Sequence, residues 1–278
     1  MLRHWIEQVK FYLIPARKLD ELIGPLLPDS HLGNESSDEA EETQSPKVTV
    51  AFDIETAELF NGHLRVDNSP AAILGVGAFK TVQAFQLTLS PLRPSGRLGS
   101  MPNQRIAAKR PFLNLAGPST KPPFYRVNVG DETARLYREA NVLYWAIPLL
   151  TMVYDYVDTH VAQVKGSLPF NIPRLRFVEA GLLLVYADRP NTTKTMGQAK
   201  GRTVGMVYLA EEVIDGSFFK YIHNGSAAPC QLTTPVANKI AQFLSFTQHV
   251  QYTKTGGLVY ISDYQSKRTF NVMARVAN

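Results

Sequence analysis

The stretch from Asp131 to about Val164 constrains the fold of this chain more than any other. Leu136, Ala140, Leu143, Ile147, Leu150 and Tyr154 recur at steps of three or four residues, the spacing that gathers apolar side chains on one face of a helix. Pro148 falls inside the stretch and predicts a kink or a break. Strand-like segments lie on both sides. Lys47–Ile54, a pair of strands between Ala71 and Leu89, and Arg105–Lys109 precede it, with Ile73, Val82, Phe85 and Leu87 expected to point inward. Leu175–Ala187 and Thr203–Val213 follow, separated by the polar loop Asp188–Gly201. Thr234-Pro235 opens a second helix, a hydroxyl N-cap followed by proline in the first turn, with Val236, Ile240, Phe243 and Leu244 as its stripe. Gly256-Gly257 then turns into a last buried strand ending at Asp263. This alternation of strand groups and helices is α+β and suits two lobes around a cleft.

Two segments stand outside that pattern. Residues 1–27 read as one or two short amphipathic helices, interrupted near Pro15 and Gly24-Pro25. Residues 28–46 are rich in Ser, Glu, Asp, Gly and Pro and read as a disordered acidic linker, so the globular body is expected to start near Lys47. Glu35, Asp38, Glu39, Glu41 and Glu42 sit in this linker, and without these five the chain holds 29 basic residues against 19 acidic ones. A basic body invites acidic partners, ATP or nucleic acid first. No basic stripe with interleaved aromatics and no nucleic-acid motif is present, which argues against the second. No apolar run approaches ~20 residues, so a transmembrane helix is not expected, and the N-terminus lacks the apolar core of a signal peptide. Cys230 is the sole cysteine; it excludes an internal disulfide and suits a reducing compartment, most simply the cytoplasm.

Five groups of residues carry chemistry. Gly75 and Gly77 remove side chains from a strand turn, either to let backbone amides approach phosphate oxygens or to supply the positive φ of a hairpin. Lys80 and Lys109 follow on neighbouring strands of one presumed sheet. A lysine that ends an apolar strand is a phosphate ligand or a solvated terminus, and a strand end is a tolerant place for substitution. Glu139, on the long helix at the edge of its apolar face, is placed either to hold Lys109 or to meet Arg135 or Arg138 on the surface. Glu211-Glu212 ends one strand, and Asp263-Tyr264-Gln265 ends another.

In this order the groups resemble the α-kinase family of atypical protein kinases. Gly75-Val-Gly-Ala-Phe-Lys80 is similar to the family's glycine-rich turn, and Ala108-Lys109-Arg110 to its strand end. Glu139 to Tyr154 matches its next helix. Ala210-Glu211-Glu212 through Gly216 and Lys220-Tyr221 to Asn224 resembles its hinge and following loop. Gln242-Phe243-Leu-Ser-Phe246-Thr247 looks like a later helix, and Asp263-Tyr264-Gln265 like the Asp-x-Gln of the transfer site, with Ser266 where the family has glycine.

The resemblance implies a two-lobed kinase-like fold over residues 47–265 and Mg²⁺·ATP-dependent phosphoryl transfer to Ser or Thr of a protein. It implies that Gly75, Gly77, Lys80 and Lys109 approach the phosphates, that Glu139 orients Lys109, and that Glu211 and Glu212 hold adenine. Asp263 then serves the transfer with Lys109, and Gln265 binds Mg²⁺. The chain departs from the family at residues 266–278, a basic tail with no carboxylate side chain and no cysteine, where the family has a further metal-binding Asp and a zinc site. The departure implies an incomplete second lobe and slow transfer. It leaves a second reading open, a catalytically silent relative that binds nucleotide or a protein partner.

Overall fold

The computed structural model describes residues 4–23, 51–113, 124–168, 170–187, 203–214, 219–223, 225–226, 228–266 and 271–277. The acidic segment 28–46 and the polar loop 188–201 lie outside the described residues.

The first lobe is a closed barrel. Six strands, β1 (His4–Leu13), β2 (Leu59–Asp67), β4 (Lys80–Ser90), β5 (Gln104–Pro111), β8 (Thr203–Glu212) and β7 (Ala180–Ala187), hydrogen-bond in that ring order, every pairing antiparallel, and β7 returns to β1. The short β3 (Ile73–Val76) adds to the first half of β4, on the edge whose second half pairs with β2. Alternation explains the closure. Val9 and Phe11, Phe60, Leu64 and Val66, Phe85, Leu87 and Leu89, Ile106 and Ala108, Leu183 and Val185, and Tyr208 and Ala210 all point into one buried core, so every strand supplies an inner face.

Where β2 crosses β4 the backbones touch. A Cβ on Gly62 would fall inside the van der Waals shell of the Thr88 carbonyl oxygen. Gly62→Ala is therefore expected to destabilise the protein by about 1–3 kcal/mol, the usual scale of overpacking, in a urea unfolding titration. Wild-type stability in that variant would mean that the seam is open.

Residues 4–13 correct the expectation of an N-terminal helix. They form an internal barrel strand between β2 and β7, and the globular body starts there rather than at Lys47. Trp5, Val9, Phe11 and Leu13 alternate toward the core, while exposed Ile6 and half-buried Tyr12 blur that alternation in sequence and imitate helical spacing. Residues 51–54, expected as part of a strand, run without regular hydrogen bonding. Phe52 is buried there, its N–H donating to Asn141 Oδ1 at 2.6 Å. Val82, expected to point inward, has the opposite parity to Phe85 and Leu87 and lies on the outer face.

Helix α2 (Val129–Val161) follows β5 after residues 114–123, which lie outside the described set, and joins the lobes. Its 33 residues span about 50 Å at the helical rise, without a break at Pro148. The first half packs Leu136, Ala140, Leu143 and Tyr144 on the outside of the barrel against Leu182, Leu184, Val207 and Leu209. The second half gives Ala146, Leu149 and Leu150 to the core of the second lobe.

That lobe is a four-stranded sheet with the order β6 (Arg176–Phe177), β11 (Asn271–Ala277), β10 (Tyr260–Ser266) and β9 (Phe219–Lys220), packed with helix α3 (Pro235–Lys254). Thr234 caps α3, its Oγ1 accepting from Ala237 N at 3.2 Å. The buried stripe of α3 is Ala237, Ala241, Leu244, Gln248 and Gln251; of the expected stripe Leu244 is buried, Ile240 and Phe243 pack partly against the same core, and Val236 is 67% exposed. Residues 271–277, expected as part of a divergent tail, pair with both β10 and β6 and so lie inside the sheet. A short helix, α1 (Leu19–Ile23), buries Leu22 beside α2.

Candidate functional site

The outer face of the barrel beside α2 gathers most of the chemistry-bearing residues. Ala108 of β5 and Ala210 of β8 point inward, so their neighbours Lys109 and Glu211 point out toward the helix. Lys109 Nζ donates to Glu211 Oε1 at 2.7 Å, with side chains 14% and 2% exposed. The second oxygen, Glu211 Oε2, is buried and has no hydrogen-bond partner among the described residues. A buried carboxylate is stable only when paired and hydrogen-bonded, so this arrangement is half-satisfied and offers an acceptor to a donor that enters the site.

Lys80, at the start of β4, meets Glu139 of α2 at 2.5 Å. The partners differ from the sequence expectation: the carboxylate at Lys109 is Glu211 and the lysine at Glu139 is Lys80. The reason lies in the register, which sets Lys109 opposite Val82 and leaves Lys80 one pleat farther along, opposite Pro111. Burial first, and then the neighbouring Lys109, hold the Lys80 ammonium below the ordinary lysine range, against the pull of Glu139.

The glycine turn has open space over it. Neither Gly75 nor Gly77 adopts a positive φ, and a Cβ on Gly75 would meet nothing within 4 Å. Hairpin geometry therefore does not demand these glycines, and what they provide is access to the backbone. Gly77 N donates to Lys80 O at 2.8 Å, and Phe112 N to Phe79 O at 3.0 Å, which pins the turn to the end of β5.

Glu212 stays out of this face. It pairs with Arg176 at 2.6 Å and accepts from Glu179 N at 2.9 Å, tying the exit of β8 to the second lobe. Glu179 in turn binds Arg93 at 3.1 Å, Arg97 at 2.9 Å and Leu98 N at 2.8 Å, which anchors the loop after β4 at the same junction.

Asp263 and Gln265 belong to the second lobe. Asp263 holds φ at 56°, in the left-handed region, where the β10–β11 pairing shifts register between Ser262 and Gln265. A non-glycine residue there stores strain that surrounding packing must hold, a situation common at functional positions. Here Tyr264 does the holding: it is fully buried, its ring stacked on Phe177, and its carbonyl accepts from Tyr221 N at 2.8 Å. The Asp263 carboxylate, 9% exposed, meets Lys220 Nζ at 2.7 Å. Gln265 lies half-buried opposite Lys220 in the β9–β10 register.

Sequence reasoning missed a buried network behind Lys109. Glu132, fully buried in the first turn of α2, accepts from Arg110 Nε at 2.5 Å and from Val207 N at 3.0 Å. Arg110 also lies over the Tyr208 ring, and Arg126 donates to Thr81 Oγ1 at 3.0 Å and to the Pro111 carbonyl at 3.2 Å. One signal was present: Glu132 stands four residues before Leu136 and eight before Ala140, a carboxylate on the apolar stripe.

No family model matches the chain, and no curated protein matches it in sequence. Solved structures match in fold. The α-kinase of Entamoeba histolytica, 15% identical, aligns over 97% of this chain and 76% of its own with a TM-score of 0.51. The apoenzyme α-kinase domain of myosin-II heavy chain kinase A is 10% identical and covers 98% of this chain and 83% of that one, at a TM-score of 0.46. The same kinase domain with adenosine is 13% identical over 80% and 76%, at 0.43. At these identities the likeness is one of fold, and the first match carries it. The chain folds as an α-kinase domain does.

Proposed function

We propose that this chain binds ATP on the outer face of its barrel and acts as an α-kinase-type phosphotransferase toward Ser or Thr of a protein. The observation that carries the reading is the buried Lys109–Glu211 pair with its open oxygen, set beside Lys80 and an uncrowded glycine turn on a kinase fold. Two lysines on one face neutralise phosphate charge without reorganising, and the free Glu211 oxygen suits the amino group of adenine. Asp263 is the carboxylate offered to the transfer itself.

Mg²⁺ at a triphosphate takes one or two carboxylates besides phosphate oxygens. Asp263 and Gln265 would supply one carboxylate and one amide oxygen, which fits a metal held mostly by the nucleotide. The metal would neutralise charge on the transferred group. Transfer is accordingly expected to be slow, because Asp263 meets the metal only by giving up Lys220 and no second carboxylate is assigned to the site.

The pairing of Asp263 with Lys220 also favours the second reading of a nucleotide-binding but silent domain. An assay with Mg²⁺, labelled ATP and a basic protein acceptor separates the two. Slow turnover lost in Asp263→Ala is the expected result; nucleotide binding with no turnover in the wild type would install the second reading.

A further inference from the structure

Beyond Lys80, on the side away from Glu211, lies a cavity of about 250 Å³ lined by Phe79, Lys80, Pro111, Arg135, Arg138 and Glu139. It is below the ~300 Å³ at which pockets for drug-sized ligands begin, so its ligand is a small group. Among the described residues its lining holds three cations and one carboxylate, and the carboxylate is occupied by Lys80. Arg135 and Arg138 stand one turn apart on α2, and among the described residues neither has an ion-pair or hydrogen-bond partner. Both are solvent-exposed and line the cavity. A guanidinium fork binds phosphate bidentately, and two of them line this one cavity.

We propose that this cavity is a phosphoryl-binding site, with Arg135 and Arg138 as its ligands and Phe79 and Pro111 as its apolar walls. Lys80 is shared with the nucleotide face, so the phosphoryl group is either the end of a bound nucleotide or a separate phosphate. The proposal stands on the cavity and the two arginines and does not require ATP to bind.

Inorganic phosphate, titrated at constant ionic strength in chloride, tests it. The Nε–H resonances of Arg135 and Arg138 should shift with phosphate and not with chloride. Arg135→Gln with Arg138→Gln should weaken phosphate binding about tenfold or more. Arg65→Gln with Lys18→Gln, which removes the same charge from exposed positions elsewhere, should leave it unchanged. Equal phosphate affinity in the two double variants overturns the site. Repeating the titration with ATP present distinguishes the source: competition assigns the cavity to the nucleotide's own phosphate, and simultaneous binding to a separate one. Phosphate binding without ATP binding would sink the nucleotide reading and leave this one standing.

Discussion

Glu132→Ala is expected to be the most damaging single substitution outside the barrel core, at about 3–5 kcal/mol of stability. The carboxylate is fully buried and satisfies both the Arg110 guanidinium and the Val207 N–H. Its removal leaves a largely buried cation with no counter-charge, and a barrel amide with no acceptor where α2 docks. The loss comes from what is stranded, not from the pair itself. Replacing both partners, Glu132→Leu with Arg110→Met, should therefore recover much of it, since apolar substitutes of similar volume often match a buried ion pair. Urea unfolding midpoints decide the matter. A single-variant loss under about 1 kcal/mol would mean that Arg110 finds water or another carboxylate.

Lys109→Met is expected to do two things at once. Nucleotide affinity should fall by about 1–3 kcal/mol, the scale of a charge-assisted contact. Stability should also fall, by about 3 kcal/mol, because Glu211 is 2% exposed and loses the ammonium that compensates it. The sequence suggested otherwise, as the end of a strand tolerates change. Burial overrules it: Lys109 lies two residues inside β5, which runs on to Pro111. Lys109→Met with Glu211→Gln should restore stability and leave nucleotide binding weak. Calorimetric titration of ATP, beside thermal unfolding of the same samples, reads both effects. A single variant as stable as the wild type would show that the Glu211 carboxylate is hydrated.

What was legible in the sequence follows from the strength of each local pattern. Helix α2 announced itself through six apolar positions at helical steps, and α3 through Thr234-Pro235 at its start. Strands β4, β5, β7 and β8 were visible as alternating or apolar runs. β2 was not: no strand was expected over its residues, although its burial alternates without fault and Gly62 makes a close contact with β4. β1 was hidden by apolar residues on both of its faces. The site residues were found by type and order, yet their partners were not. Which carboxylate meets which lysine depends on a one-pleat offset between β4 and β5 and on the height of α2 above them, and neither is written in a single chain segment. The left-handed Asp263 was equally invisible, since the extra residue that β10 carries between Ser262 and Gln265 shows only once it is paired with β11.

The central claim is that the outer face of the barrel is a nucleotide site, and a thermal unfolding series with increasing ATP tests it most directly. One-site binding to the folded state raises stability by about 2.7 kcal/mol when ligand exceeds the dissociation constant a hundredfold. The unfolding temperature should climb with ATP concentration, climb further with Mg²⁺, and climb far less in Lys109→Met. An unfolding temperature that stays flat to millimolar ATP, with and without Mg²⁺, would contradict it.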